Sequence, residues 1–387
     1  MSRGRPRGLV TKRGSRWTVI LSDIDPATGE RRRHYHAGYL TRREAEKART
    51  ALLSQMDDGT HVPPEHALTV AQFLTKKWLP EVREQVRPST YESYRLHVEN
   101  YLVPRIGGLK IQTLKPDHLN KAYRELRKHG GRNSRSLSDR TVELTHVTIR
   151  HALKDAQRWG YVNRNVADAA NRPRVKRRKE MNTWTAVQLR QFLAYVDEND
   201  PRRYPLWLLA SSTGARRGEL LGARWRDLDF ANSRLSIRQT VLAVRNKIEF
   251  SQPKTEKGRR NVALDNVTLK TLRTHRRAQA EEKLLAGPGY EDLDLIFATE
   301  QGGPLHPDQV SKSFKRLARR AGVPVIPLHS LRHSHATLAL QAGIHPKVIS
   351  ERLGHANITL TLNTYSHAIP SMQEEAAEQI ASLVFGS

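Results

Sequence analysis

Six side chains spread along the C-terminal half of the chain have types and spacings suited to chemistry on an anion. Arg216 sits in Thr213-Gly214-Ala215-Arg216-Arg217-Gly218-Glu219-Leu220, which reads as a turn entering a helix. Lys254 stands in Pro253-Lys254-Thr255, at the tip of an expected hairpin. His329 and Arg332 are three residues apart, so they leave one face of a helix together. His355 follows Leu353-Gly354, and Tyr365 comes ten residues later in Leu362-Asn363-Thr364-Tyr365-Ser366-His367. Guanidinium groups offer oxyanions a fixed fork of donors and stay charged at any working pH. Imidazole exchanges protons near neutrality, and a phenol relieved of its proton is a nucleophile. Each piece also has a plainer account. Arg216 can pair with Glu219, Lys254 can be one more surface lysine, and Tyr365 is one of 11 tyrosines, a residue that usually packs its ring and leaves its hydroxyl in water.

The same inventory excludes other chemistries. Cysteine is absent, so there is no disulfide framework, thiolate zinc site or cysteine nucleophile. No GxxxxGK[ST] phosphate loop occurs, and Gly287-Pro288-Gly289 lacks the third glycine and the strand–helix setting of a dinucleotide site. Glu291, Asp292 and Asp294 read as an exposed loop rather than a cation site. His329 and His333 have the i, i+4 spacing of zinc-binding HExxH, but Ser330 stands where the glutamate belongs and Arg332 would set a cation beside the metal. No metal or cofactor is expected.

The 387 residues are enough for two to three domains. They carry 66 Lys and Arg against 39 Asp and Glu, a net charge of +27, which calls for a polyanionic partner, nucleic acid first. The surplus is spread along the chain: 13 basic against 7 acidic residues over 1–60, 25 against 12 over 61–180, and 28 against 20 thereafter. That pattern suits a protein that wraps its partner better than one with a detachable basic arm. No apolar run approaches the roughly 18–20 residues of a membrane span, and the basic N-terminus has no apolar stretch to act as a signal peptide. A soluble, cytosolic chain is expected.

The elements that must position these residues fall into three blocks. Residues 1–62 read as a small α+β domain. Trp17, Val19 and Leu21 alternate with Thr18, Ile20 and Ser22, Asp25 to Gly29 is turn chemistry, and Arg31 to Leu40 is a returning strand. Thr41 and Glu44 then form a capping box for a helix with Ala45, Ala48, Leu52 and Met56 on one face and a stop at Gly59. Val62-Pro63-Pro64 reads as a linker. Residues 67–172 read as all-α. Ser89 to Glu92 is taken as a second capping box, Pro116 as a first-turn proline before a helix ending at Gly130-Gly131, and Asp139 to Trp159 as the longest helix. In that helix Val142, Ile149, Leu153 and Ala156 share one stripe and Arg150, Lys154 and Arg158 another. Residues 173–181 form a basic linker. Residues 182–387 read as mixed, mainly helical α/β. Helices are expected from Thr185, Pro205, Val267, Pro307, Leu331 and Pro346, a strand over Arg234 to Val244, and a hairpin over Phe250 to Leu264.

Taken in order, Arg216, Lys254, His329-x-x-Arg332, His355 and Tyr365 resemble the catalytic set of the tyrosine recombinase family, specifically phage- and plasmid-type integrases. Lys254 is preferred to Lys257 by its Pro-Lys-Thr context, and Arg216 to Arg217 by the Thr-Gly-x-Arg register. The resemblance is close over the last block. It extends to the helical block, similar to the family's core-binding domain, and more loosely to the first 60 residues as an arm-type DNA-binding domain. It implies site-specific recombination through a 3′-phosphotyrosine, with Arg216 and Arg332 clamping the phosphate, His355 adding a donor, His329 acting as base, Lys254 as acid and Tyr365 as nucleophile. It implies double-stranded DNA attachment sites and further copies of the chain as partners, as a tetramer on a four-way junction. An excision factor and a DNA-bending protein are candidate accessory partners. After Tyr365, Ala376, Ala377, Ile380, Leu383 and Val384 make an apolar stripe that packs either on its own domain or, as the family suggests, on a neighbouring protomer. Two rival readings remain: a topoisomerase-like nicking and resealing enzyme, and a non-catalytic regulator in which Ala336 to Gly354 is a helix-turn-helix.

Overall fold

The N-terminal strands are a three-stranded antiparallel meander, β1 (Arg7–Arg13), β2 (Arg16–Ile24) and β3 (Arg31–Tyr39), with β2 in the middle. The computed structural model describes residues 7–24, 31–57, 68–175, 182–252, 258–355, 357–365, 378 and 380–386. The expected turn at Asp25 to Gly29, the stop at Gly59, the Val62-Pro63-Pro64 linker and most of the basic linker lie outside them. Val19 and Leu21 of β2 are fully buried against Ala45 of helix α1 (Arg42–Asp57), with Leu52 and Met56 packed alongside. The capping box forms as read: the Glu44 amide donates to Thr41 Oγ1 at 3.2 Å, and the Thr41 amide to Glu44 Oε2 at 3.2 Å. Strand β1 was not anticipated. Its pairing with β2 turns at Gly14, whose φ of +62° suits glycine.

The chain divides into two compact units, Met1–Arg178 and Lys179–Ser387. The rest of the first unit is helical. Thr69 and Gln72 form a capping box at the start of α2 (Val70–Gln72), which continues through a π-helical turn (Phe73–Trp78) into α3 (Leu79–Gln85). Helix α4 (Pro88–His97) likewise runs through a second π turn (Val98–Leu102) into α5 (Val103–Ile106). The capping box expected at Ser89 to Glu92 does not exist. Pro88, whose fixed φ suits a first turn, starts the helix two residues earlier, with Arg87 rather than Ser89 at the N-cap, and Glu92 is engaged by Arg95 instead. Helices α6 (Pro116–His129) and α7 (Asp139–Arg158) match their expected bounds. The apolar stripe of α7 is buried with Phe73, Trp78, Leu102 and Leu126, whereas Arg150, Lys154 and Arg158 stay exposed. Buried polar groups in this core are paired: Trp78 Nε1 donates to Asp155 at 2.9 Å, and His97 meets Thr145 at 2.8 Å.

The second unit begins with α8 (Ala186–Asn199) on a Thr185–Gln188 capping box, then α9 (Tyr204–Thr213) and α10 (Arg217–Leu221). Trp184, Phe192, Trp207 and Phe314 form the aromatic centre of its core. The single strand expected over Arg234 to Val244 is two strands. β5 (Arg234–Ile237) lies between β4 (Leu228–Asp229) and β8 (Arg260–Ala263), while β6 (Thr240–Val244) pairs with β7 (Lys247–Ser251). The hairpin expected over Phe250 to Leu264 is therefore corrected, since its two flanks belong to different sheets. The hairpin that does form turns at Arg245-Asn246, where φ values of 51° and 63° define a turn whose twist matches the paired strands. Helices α11 (Asn266–Ala286), α12 (Pro307–Arg320), α13 (Leu328–Gln341), α14 (Pro346–Leu353) and α15 (Ile358–Tyr365) complete the unit. Helix α13 begins three residues before the expected Leu331, behind Pro327. Among the described residues no helix is long and apolar enough to cross a membrane.

Candidate active site

The C-terminal end of α14 organises the site. A helix leaves its last carbonyls without intrahelical partners, and its dipole favours cations there. Here every one of them is accounted for. Gly354, in the left-handed conformation at φ +67°, turns the chain so that its amide donates to Glu351 O and the His355 amide to Ser350 O, both at 3.0 Å. The next three carbonyls each accept from a different arginine: Arg352 O from Arg260 Nε at 2.6 Å, Leu353 O from Arg332 Nη2 at 2.7 Å and Gly354 O from Arg216 Nη2 at 3.1 Å. Arg332 also donates to Gly214 O at 2.8 Å, and Arg352 to Ser212 O at 2.8 Å. The chain turn after α9 and the end of α14 are thereby stapled together by guanidinium groups.

Gly214 makes this approach possible. It caps α9 at φ +62°, and a Cβ there would come within 2.7 Å of Leu353 Cδ2 and 2.8 Å of His335 Cδ2. Arg216 follows at the N-cap of α10, with its side chain about two-fifths exposed and bonded to Glu219 Oε1 at 2.7 Å. Arg217 points elsewhere, to Pro307 O, Asp308 and Ser311 of α12, so the arginine doublet splits into one site residue and one structural tie. The Arg216–Glu219 pair weighed as the plain alternative exists, and it belongs to the site rather than competing with it.

Of the six residues read from sequence, Arg216, His329, Arg332 and His355 are brought together in this pocket. Lys254 lies outside the described residues. Tyr365 is the last residue of α15, which packs back on α14, and its side chain is likewise outside what is described. His329 stands one turn from His333 on α13, the rings edge to face at 4.9 Å. Burial, then the charges of Arg332 and Arg216, lower the His329 pKa. Burial and the same two arginines hold His355 down at about 4, and burial with His329 and Arg332 does the same for His333. These rings are neutral at pH 7, able to accept a proton. His355 Nδ1 is fixed by Thr361 Oγ1 at 2.7 Å. The ring lines an open cleft of about 590 Å³ with Arg259, Arg260, Lys347, Gly354 and Asn357. Glu219 is 3% exposed, yet its pKa is lowered, because burial, which raises it, is outweighed by the hydrogen bond and charge of Arg260 and by the Arg216 amide and charge.

Sequence reasoning missed Glu219 and Arg260 as site residues, and also Arg352 and His335. His335 Nδ1 donates to Ser211 O at 2.8 Å, and burial first, then the Arg352 charge, holds its pKa at about 4. Nothing local distinguishes Arg260 from Arg259 or from the other cations of a basic chain. Among the described residues no cluster of His, Asp and Glu could hold a metal, and Asp292 and Asp294 are engaged by Lys283 and Arg226.

A net cationic pocket of guanidinium forks and neutral imidazoles has the donors to receive an oxyanion. Residues 182–372 match the phage integrase family, and residues 69–127 match the phage integrase N-terminal SAM-like domain. The tyrosine recombinase XerC-like protein of Caldanaerobacter subterraneus subsp. tengcongensis is 30% identical over 362 residues, covering 89% of this chain and 90% of that one. Among solved structures, the Tn1549 transposon integrase in complex with transposon right end DNA superposes with a TM-score of 0.67 at 21% identity, over 81% of this chain and all of that one. The lambda integrase tetramer bound to a Holliday junction gives 0.57 at 17% identity, over 89% and 92%. The chain belongs to the phage integrase family of tyrosine recombinases, multidomain enzymes of site-specific DNA recombination.

Proposed function

We propose that this recombinase cuts and rejoins duplex DNA by attack of the Tyr365 hydroxyl on a scissile phosphate. The phenolic oxygen bonds to phosphorus as the bond to the 5′ oxygen breaks, which leaves a 3′-phosphotyrosine. A phenol with pKa near 10 is only about a thousandth ionised at neutral pH. Neutral His329 takes its proton, and Lys254 supplies one to the departing 5′ oxygen. Arg216 and Arg332 hold the non-bridging oxygens, where pre-positioned donors contribute on the order of 10²–10³ in rate each, and His355 adds a donor. Phosphodiester energy stays in the protein–DNA bond until another strand's 5′ hydroxyl attacks, so no nucleotide hydrolysis is needed.

The observation that carries this reading is the convergence of Arg216, Arg332 and His355, far apart in sequence, on the three residues that end α14. The exposed cations of α7 support a role for residues 67–172 in gripping the core of a site, with the basic stretch 173–181 linking them to residues 182–387, and the sheet-plus-helix module of residues 1–62 is proposed as the arm-type DNA-binding domain. Ile380, Leu383, Val384 and Phe385, at 61, 86, 66 and 80% exposure, offer an apolar face that supports docking on a neighbouring protomer in a tetramer. Ala376 and Ala377 lie outside the described residues. An excision factor and a DNA-bending protein are the accessory partners this reading allows.

The test is a nicked duplex that loses its 5′ fragment after cleavage and so traps the covalent species. Wild type should form an EDTA-resistant adduct whose DNA-linked peptide carries Tyr365, and Tyr365→Phe should form none while binding the site with unchanged affinity. No adduct, one that requires a divalent metal, or one mapped to another residue overturns the proposal.

A further inference from the structure

We propose that Arg260 is a positioning residue for strand cleavage, aiming Arg216 from behind through Glu219. The inference rests on the strand-transfer reading above and deepens it. Arg260 opens β8, and its side chain is 7% exposed. All three guanidinium nitrogens are committed. Nη2 donates to Glu219 Oε2 at 2.9 Å, Nε to Arg352 O at 2.6 Å and Nη1 to Gly258 O at 3.3 Å. Each acceptor belongs to a different carrier of the proposed chemistry. Glu219 lies three residues after Arg216 on α10. Arg352 O lies three residues before His355. Gly258 lies four residues after Lys254. One planar fork therefore ties together the feet of three chain segments that must agree in position.

The coupling to Arg216 is direct. Glu219 Oε2 accepts from both Arg260 Nη2 and the Arg216 amide at 2.9 Å, while Oε1 accepts from Arg216 Nη1 at 2.7 Å. With Arg260 present, the buried carboxylate has a second cation whose side chain is largely out of solvent, and Arg216 keeps part of its fork for an incoming oxyanion. Without it, Arg216 becomes the main counter-ion of that carboxylate and is drawn back into a two-point ion pair. Arg260 borders the cleft beside His355, but all three of its nitrogens are held by protein acceptors, so its effect runs through Arg216. A lysine would supply the charge but reach fewer of the three acceptors, because an ammonium is a point charge without a fork.

The full chain and the nicked trapping duplex test this by a double-mutant cycle. Under saturating protein, Arg260→Gln should slow adduct formation about 10–100-fold, the range of losing part of one pre-positioned donor. Arg260→Lys should recover part of that loss, and site affinity of both variants should stay within about twofold of wild type, as expected of a residue that binds no phosphate. In an Arg216→Ala background, Arg260→Gln should cost less than about threefold more, the signature of two residues acting as one unit. The inference is overturned if Arg260→Gln cleaves at the wild-type rate, or if its full loss persists without Arg216. Should Arg260→Gln fail to fold, the Arg260→Lys arm of the cycle decides by the same criteria. A wild-type chain that forms no adduct would instead overturn the strand-transfer reading itself.

Discussion

Arg332 is asked to do two jobs, and replacing it by lysine separates them. In the structure its side chain is almost fully buried, at 4% exposure, and spans from Gly214 O at 2.8 Å to Leu353 O at 2.7 Å. Hydrogen bonds to a charged donor are worth about 1.5–3 kcal/mol each. A lysine ammonium can serve one carbonyl and leaves the other buried, so Arg332→Lys should cost about 1.5–3 kcal/mol of folding free energy. For a unit of this size that is a fall of roughly 3–12 °C in melting temperature. Catalysis should fall further, by on the order of 10²–10³, because the fork that grips a non-bridging oxygen is gone while the charge remains. The assay pairs thermal unfolding of the DNA-free chain with single-turnover adduct formation on the trapping duplex, run well below the variant's melting temperature. A variant that melts early yet forms adduct within about threefold of wild type would reduce Arg332 to a structural staple, contrary to the clamp's expected share. An unchanged melting temperature would refute the carbonyl-bridging argument.

Further predictions follow from the same contacts. Gly214→Ala forces a β-carbon into a left-handed turn already closed by Leu353 and His335, so unfolding free energy should drop by about 2–4 kcal/mol; an unaltered urea midpoint would show that the turn yields easily. The histidine pKa values are depressed in the folded state, so their contribution to stability is present above the unfolded value of about 6.5 and is lost as pH falls toward about 4, where His333, His335 and His355 titrate. Urea denaturation should therefore show a plateau above pH 7 and a decline from pH 6.5 to pH 4, of which the well-buried His335 accounts for about 3 kcal/mol; a flat profile across that window contradicts the burial argument. The net charge of +27 predicts a steep log–log fall of site affinity with salt, and a slope shallower than about −3 would be inconsistent with many phosphate contacts.

Interactions between neighbours in the chain were legible from the residues alone. The Thr41–Glu44 capping box, the helix start at Thr185, the proline that opens α6 and the buried stripe of α7 each depend on residues a few positions apart, so residue type and spacing determine them. The order Arg216, His329, Arg332, His355 was readable as a resemblance to the family's motif, since each piece alone had a plainer account. Where two local signals competed, as at Pro88 and Ser89, the stiffer backbone preference decided, and reading the capping pattern alone placed the helix start two residues late. Partner choice was not legible. Alternation over Arg234 to Val244 marks extended chain but does not say that Leu235 faces Val262 while Val241 faces Phe250. Nor does a run of cations reveal that Arg260 is buried beside Glu219, 41 residues earlier, and under a carbonyl 92 residues later. Those contacts exist because a buried carboxylate and the open carbonyls of a helix end must find donors once water is excluded. Which donors arrive is decided only when distant segments pack, and that packing is what turns a list of arginines into a site.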